Sequence, residues 1–230
     1  MLSFNAVNKD LQSLVKLGLT NGYWEGIPCL YYNKVGHYIP EIHNKTKIVL
    51  HYTAGNILGD FGALTQSRVS VPFLISLSGR LLVLYNPKYW AWHLGASAIG
   101  GNTTLSKESI GVEITNWGWL EEKGGILYTY LGVPYCTLAD TDRYTKATFR
   151  KKHYWANFTE QQYITLRRLL PILCSKFNIP FDYLPEDKRL VQTTDAIAFN
   201  GIVTHTNFRR EDDKQKKWDI GPAFNWSKLL

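Results

Sequence analysis

The chain has 230 residues, a length that fits one large domain or two small ones and allows a substantial buried core. Its 45% hydrophobic and 20% charged residues exclude a disordered chain, and no apolar stretch of about 18 residues predicts a membrane span. The net charge of +7 favours polyanionic partners such as nucleic acid, anionic lipid or cell-wall polymers. The densest basic stretch, residues 150–153, is interpreted as a solvated surface rather than a binding patch.

The first 46 residues predict an N-terminal extension that packs on a single domain formed by residues 47–230. They combine a short amphipathic piece, residues 9–17, with a stretch rich in Gly, Pro and aromatic residues. Because no basic segment followed by an apolar run begins the chain, we expect no secretory signal and a soluble protein. Activity outside the cytoplasm would then require another route of delivery.

From residue 47 onward, apolar runs alternate with turn signals. Residues 47–53 predict a buried strand that ends in an Ala-Gly-Asn loop, and a helix is predicted near residues 58–68. Two apolar runs, residues 72–77 and 80–85, are joined by Ser-Gly and predict a hairpin. Residues 109–115 predict another strand.

A long helix is predicted after Thr159, which forms a capping-box pattern with Gln162. The apolar residues that follow keep helical spacing, so one face of this helix is expected to be buried. Pro171 is expected to kink the helix, and Asn178 is expected to end it in a left-handed conformation.

The three cysteines, Cys29, Cys136 and Cys174, contain no CxxC pair. Their odd number argues against a disulfide framework but leaves open one bridge beside a free thiol. Cys174 lies on the apolar face of the long helix and is interpreted as a core residue.

The remaining elements complete the predicted fold. Residues 123–151, rich in Gly, Tyr and Thr, predict an irregular excursion, and residues 201–206 predict a last buried strand. Pro222 is expected to open a short C-terminal helix. Strands that alternate with at least two helices indicate an α/β fold, a single domain with a central mixed sheet flanked by helices.

Two histidines occupy matched positions, His51 and His205, each at the end of a predicted strand. A lone histidine there is usually a hydrogen-bonded structural residue, whereas two in matched positions favour a metal site. Asp219, followed by the rigid pair Gly221-Pro222, is the candidate third ligand. Two imidazoles and one carboxylate suit Zn²⁺ at the strand ends and leave a fourth position for a water, whose pKa the metal lowers to about 7.

Three further residues have a functional and a structural interpretation. Glu113 is a carboxylate in an apolar strand, where it forms either a salt bridge or a general base beside the metal. Lys217 would share a face with Asp219 in an extended chain and stabilise an oxyanion, or it is one of several lysines in a polar loop. His93, next to Trp92, is either a buried imidazole or a cleft residue that contacts substrate.

Five motifs follow one another between residue 47 and the C-terminus: IVLHYTAGN, VPFLISLSGRLLVLY, WAWHLG, SIGVEITNWG and KWDIGPAF. Their order resembles that of the zinc-dependent N-acetylmuramoyl-L-alanine amidases. This amidase-2 family includes phage lysozyme-type amidases, bacterial wall-recycling amidases and animal peptidoglycan recognition proteins. The chain is most similar to the phage and bacterial cell-wall enzymes.

The resemblance implies a peptidoglycan hydrolase with Zn²⁺ as its cofactor, held by His51, His205 and Asp219. The reaction would be hydrolysis of the amide that joins the lactyl group of N-acetylmuramic acid to L-alanine of the stem peptide. Glu113 would activate the water, and Lys217 would stabilise the tetrahedral intermediate. Substrate contacts are expected from His93, Trp92 and Asn116.

The chain departs from the family pattern in three places. Ile220 stands where relatives often have Pro after the third ligand, and the segment between His205 and Asp219 is longer and more charged than usual. Some relatives carry a catalytic Tyr where this chain has Val71, so the water is expected to depend on Glu113.

Two alternatives to the amidase remain open at this point. One is a non-catalytic peptidoglycan-binding module on the same fold, and the other is a basic nucleic-acid binder supported only by the net charge. For the amidase we expect a muropeptide substrate, no nucleic acid, no membrane insertion and a monomer. A phage endolysin, a secreted effector with an immunity or delivery partner, and a cytoplasmic recycling enzyme all fit. The first two would act on the cell wall, in the periplasm or outside the cell.

Overall fold

Twelve strands are present in the computed structural model, which describes residues 4–209 and 218–229. They are β1 Thr20–Trp24, β2 Ile27–Tyr31, β3 Lys47–Tyr52, β4 Phe73–Ile75, β5 Leu81–Val83, β6 Ser109–Ile114, β7 Trp119–Lys123, β8 Ile126–Thr129, β9 Pro134–Thr137, β10 Tyr144–Phe149, β11 Lys152–Ala156 and β12 Gly201–Thr204. The helices are α1 Phe4–Val15, α2 Ile57–Thr65, α3 Asn102–Glu108, α4 Glu160–Phe177 and α5 Asp195–Ala198. Short 3-10 turns cover Glu186–Lys188, His205–Phe208 and Trp226–Leu229.

The central sheet has seven strands in the order β1-β2-β5-β4-β6-β3-β12 within the described part of the chain. β3 pairs in parallel with β6 and β12, whereas β4 and β5 form the antiparallel hairpin that the Ser-Gly turn predicts. β3 and β6 are buried along their whole length, which explains why they read as continuous apolar runs. The predicted α/β domain with a central mixed sheet flanked by helices is confirmed.

The N-terminal residues contribute to this sheet directly. β1 and β2 form an antiparallel pair, and β2 continues the sheet by pairing in parallel with β5. The amphipathic piece forms α1, which lies next to α2. A division of the chain into residues 1–46 and 47–230 stays a prediction.

A second sheet replaces the irregular excursion expected for residues 123–151, so that expectation is wrong. Its order is β10-β11-β7-β8-β9, and every neighbouring pair is antiparallel. The strands have only four to six residues, and most of their positions are half-buried or exposed, so they lack a long apolar run. Their small shared core consists of Leu120, Leu127, Cys136 and Ala156.

The α4 helix covers one face of the central sheet. It begins at the predicted capping box and ends at Asn178, whose φ of 53° and ψ of 42° are left-handed. The helix continues through Pro171 and buries its apolar stripe against β3 and β6. Cys174 lies on this buried face, as predicted. All three cysteines of the chain are free and buried.

Thr159 makes more contacts than a simple helix cap. Its hydroxyl accepts the N–H of Gln162 at 3.1 Å and donates to the carbonyl of Leu77 at 2.9 Å. We expect Thr159→Ala to lower the free energy of unfolding by about 1 kcal/mol, measured by urea denaturation. Thr159→Ser keeps the hydroxyl and is expected to stay close to the original stability. Equal losses in the two variants would contradict a role for the hydroxyl.

The expectation of a helix that begins at Pro222 is wrong. The last turn begins at Trp226 instead, where the side chain of Asn225 accepts the N–H of Ser227 at 3.0 Å.

No helix in residues 4–209 or 218–229 has the length and apolarity that crossing a bilayer requires.

The face of the sheet opposite α4 carries the polar residues that matter for function. In the parallel pair of β3 and β6, His51 lies beside Glu113 and Val49 lies beside Gly111. Alternate residues of a strand point to the same face, so Ser109 shares this face with Glu113. Loops after β5 and around α3 and α5 cover the apolar part of the face.

Candidate metal centre and active site

Three buried side chains converge at the ends of two neighbouring parallel strands. His51 ends β3, His205 follows β12, and Asp219 lies on a loop that returns to both. The Nδ1 atoms of His51 and His205 lie 3.2 Å and 2.8 Å from Oδ2 of Asp219. One ligand atom from each residue lies within 4.8 Å of the other two, so the structure brings the three predicted residues into a group that can hold a metal ion.

The donor set fits a divalent cation. Burial alone would raise the pKa of Asp219, but the neighbouring imidazoles of His205 and His51 hold it well below its usual range. Its second oxygen, Oδ1, is buried and receives no hydrogen bond from the part of the chain that the structure describes. A buried, ionised carboxylate with an unused oxygen beside two imidazoles is the environment that a metal ion stabilises.

The loop that carries Asp219 is fixed through its backbone. The carbonyl oxygen of Asp219 accepts the N–H of Thr206 at 2.6 Å and the hydroxyl of Thr206 at 2.7 Å. His205 is oriented from its other side, because its Nε2 lies 3.0 Å from the carbonyl oxygen of Leu94. A carbonyl only accepts, so Nε2 carries a hydrogen, and Nδ1, on the side of Asp219, is the nitrogen that would bind a metal ion.

A chain of hydrogen bonds orients His51 in the same way. Ser109 donates its hydroxyl to the carbonyl of Leu105 at 2.6 Å, and its Oγ lies 3.0 Å from Nε2 of His93. The Nδ1 of His93 lies 3.0 Å from Nε2 of His51. Because Ser109 donates to Leu105, it accepts from His93, and His93 then accepts from His51. This direction leaves Nδ1 of His51, on the side of Asp219, as the nitrogen that would bind a metal ion.

The ring of His93 occupies its position because Gly111 in β6 has no side chain. A Cβ at Gly111 would contact Val71 and would lie 3.2 Å from Nδ1 of His93, so a larger residue would displace the ring. Burial lowers the pKa of His93 well below its usual range, and the nearby imidazoles add to the effect. The imidazole is therefore neutral and can accept from His51. Ser109 and Gly111 were missed from the sequence, although they alternate with Glu113 along one face of β6.

Glu113 lies between the metal group and solvent. Its Oε1 is 3.9 Å from Nδ1 of His51, and 9% of the residue is exposed. It lines a cavity of about 270 Å³ together with the loop after β3, helix α2 and residues of the second sheet. A carboxylate at this place can exchange a proton with a molecule bound in the cavity.

The other predicted site residues have different surroundings. Trp92 packs against Trp90 and donates its ring N–H to Thr103 at 3.0 Å. Asn116 is buried, and its side-chain N–H groups donate to the carbonyls of Ala156 and Asn157 at 3.2 Å. Neither of the two predicted substrate contacts, Trp92 and Asn116, lines the cavity at Glu113.

Lys217, predicted to stabilise an oxyanion, lies outside the described residues. Ile220, the departure from the family pattern, is buried in the main core beside α4. Gly221 permits a close approach there, since a Cβ at this glycine would lie 3.0 Å from the ring of Trp155.

The family model of the N-acetylmuramoyl-L-alanine amidases matches residues 43–222, which is most of the chain. The chain belongs to this family. The match includes all the residues of the metal group and Glu113, and the predicted resemblance to the amidase-2 family is confirmed.

The chain is similar to bacterial proteins. It is 35% identical over 91 residues to the N-acetylmuramoyl-L-alanine amidase AmiD of Escherichia coli K12, an alignment that covers 35% of this chain and 32% of the relative. Its fold is similar to that of E. coli AmiD solved with a muropeptide substrate, with a TM-score of 0.53, 22% identity and coverage of 91% of this chain and 64% of that one.

A second similar structure is AmpDh3 of Pseudomonas aeruginosa, with a TM-score of 0.49 and 22% identity over 86% of this chain and 63% of that one. The matched regions thus span about a third of the curated relative and less than two thirds of each solved chain.

Proposed function

We propose that this amidase hydrolyses the amide bond between N-acetylmuramic acid and L-alanine of the peptidoglycan stem peptide, with Zn²⁺ as its cofactor. The observation that carries the proposal is the convergence of His51, His205 and Asp219 beside the carboxylate of Glu113 in a member of this family. These three residues would hold the ion. When bound, zinc activates water for attack and polarises the carbonyl of the substrate amide.

Glu113 supplies the proton transfers. Its Oε1, on the side of the metal group, accepts a proton from the attacking water and then delivers it to the amide nitrogen as the C–N bond breaks. The cavity in front of this oxygen gives the substrate access. Lys217 stabilises the negative charge that develops on the carbonyl oxygen, a role that rests on the sequence pattern alone.

His93 acts through His51. Both ring nitrogens of His93 are used by protein atoms and the residue is buried, so its contacts favour orientation of the ligand over contact with substrate. Asn116 likewise fastens the second sheet to the end of β6 through its two donated hydrogen bonds. Trp92 stays a predicted substrate contact.

Removal of the His93 ring tests this orientation. We expect His93→Ala to weaken zinc binding about 10- to 100-fold, because the Nε2–H of His51 loses its acceptor. His93→Asn offers an amide oxygen close to the position of Nδ1 and is expected to recover part of the affinity. Competition with a chromophoric chelator measures both variants. Wild-type zinc affinity in His93→Ala would show that His93 does not orient the ligand.

The function itself is tested on purified peptidoglycan. Zinc-loaded protein is expected to release free L-alanine amino termini without new reducing sugar ends, since the amide rather than a glycosidic bond breaks. A protein that sediments with the wall and releases no amino termini would be a binding module, the alternative function on this fold.

The preference for polymeric or soluble substrate distinguishes the possible biological settings. A phage endolysin or a secreted effector acts on polymeric cell wall, whereas a cytoplasmic recycling enzyme acts on soluble muropeptides. We propose the cell wall as the site of action, because the net charge of +7 favours binding to an anionic polymer. A higher kcat/KM on soluble muropeptides than on intact wall would point to recycling instead. A monomer and an immunity or delivery partner stay predictions.

A further inference from the structure

The cavity in front of Glu113 has two chemically different walls. One wall consists of the loop after β3 and helix α2, where Gly55 and Asn56 line the cavity beside Ala54 and Ala63. The opposite wall comes from loops of the second sheet and includes Trp117 and Tyr130. A substrate bound at Glu113 therefore meets small polar and apolar residues on one side and aromatic rings on the other.

We call Trp117 and Tyr130, with Trp119 behind them, the aromatic wall. The ring of Tyr130 lies 6.5 Å from that of Trp117 and 6.1 Å from that of Trp119, measured between centroids. Tyr130 is 46% exposed although two indole rings hold it at the rim of the cavity. The side chain is thus positioned by the protein while much of its surface remains open to a ligand.

The aromatic wall adjoins the loop that carries Asp219. The ring of Trp119 lies 6.5 Å from that of Trp218, the residue that precedes Asp219, measured between centroids. Lys152 lies 3.6 Å over the ring of Trp119 and pairs with Glu121 at 3.0 Å. Side-chain contacts therefore connect the wall to the segment that holds the third proposed ligand.

We propose that the aromatic wall binds a pyranose ring of the glycan strand, and so recognises the saccharide side of the substrate. The inference rests on the proposed amidase function and names the part of the substrate that this wall takes. The cleaved amide joins a sugar to a peptide, so one side of Glu113 must receive the sugar. The C–H faces of a pyranose stack on aromatic rings, and the aromatic residues that line this cavity, Trp117 and Tyr130, lie on the same wall.

Tyr130→Ala tests the proposal with two substrates that share the scissile amide. One carries N-acetylmuramic acid, and the other carries only a lactyl group in place of the sugar. We expect KM to rise about 5- to 10-fold on the sugar-bearing substrate and to stay unchanged on the lactyl-peptide. Tyr130→Phe keeps the ring and is expected to behave as the wild type.

A binding measurement separates this inference from the proposed activity. Peptide-free glycan strands of N-acetylglucosamine and N-acetylmuramic acid are expected to bind Tyr130→Ala about 5- to 10-fold more weakly than the wild type. Tyr23→Ala, at a tyrosine that is 72% exposed on β1, is the matched control and should leave binding unchanged.

Two outcomes would overturn the assignment. Equal KM increases on both substrates would place the peptide on the aromatic wall, and glycan binding by Tyr130→Ala at the wild-type level would remove the saccharide site. An enzyme that cleaves neither substrate, but whose glycan binding still depends on Tyr130, would refute the activity and keep the saccharide site.

Discussion

Glu113→Gln is expected to abolish most turnover while leaving the zinc content of the protein intact. Glutamine has nearly the same shape as glutamate but cannot accept the proton of the attacking water. General acid–base catalysis of this kind contributes about 10²- to 10⁴-fold, so kcat should fall by that factor. The Oε1 of Glu113 is 3.9 Å from Nδ1 of His51, and the residue lies outside the group of three proposed ligands.

Zinc content and kcat, measured on the same preparation, distinguish a general base from a metal ligand at Glu113. Glu113→Ala is expected to behave like Glu113→Gln, with full zinc content and little turnover. Glu186→Gln, at an exposed carboxylate in a 3-10 turn, is the control and should retain both. If Glu113→Gln keeps the wild-type kcat, the assignment of the general base is wrong. If it loses zinc, Glu113 belongs to the metal-binding group.

Asp219→Ala is expected to lose both zinc and activity. The carboxylate is the only anionic member of the group of three, and it lies 3.2 Å and 2.8 Å from the two imidazoles. Removing a residue that merely orients a ligand already weakens zinc binding about 10- to 100-fold, so the loss of a ligand should exceed about 100-fold. Asp187→Ala, at an exposed aspartate, should bind zinc as the wild type does.

Asp219→Ala also shows whether the loss of zinc comes from a missing ligand or from a loss of folding. The carbonyl of Asp219 forms the hydrogen bonds to Thr206, and the alanine variant keeps that carbonyl. The metal-free variant is therefore expected to show the cooperative urea unfolding of the metal-free wild type. An Asp219→Ala protein that retains stoichiometric zinc would exclude Asp219 as a ligand.

The strands that carry the metal group could be predicted from the sequence because they are buried on both faces. Continuous apolar runs at β3, β6 and β12 identify them, and each of the two predicted histidine ligands stands at the end of such a run. Parallel neighbours end at the same edge of a sheet, so His51 and His205 meet once β3 and β12 pair. Asp219 carries a weaker signal, because a long charged loop separates it from His205, and its Gly221-Pro222 flank and the family motif are what indicate it.

The orientation of the ligands could not be predicted in the same way. His93 belongs to a loop without periodicity, and its contact with Ser109 depends on the empty space above Gly111. The alternation of Ser109, Gly111 and Glu113 along β6 is visible in the sequence, but it does not indicate which distant side chain fills the gap. The role of His93 thus emerges only from the packing.

The second sheet also could not be predicted from the sequence pattern. Its strands are short and half-exposed, and its core is small, so no segment shows a clear hydrophobic period. β7 pairs with β11 across about thirty residues, a long-range contact that local propensity does not encode. The aromatic wall depends on that pairing and could not be foreseen as a surface facing Glu113.

Zinc titration of the metal-free protein tests the proposed amidase function most directly. The substrate is a sugar-bearing muropeptide, and the release of peptide with a free L-alanine amino terminus is followed by mass spectrometry. We expect no release without metal, and a rate that rises in proportion to added zinc until each chain holds a single ion. Full activity without metal, or a zinc-loaded protein that releases no such peptide, would contradict the account.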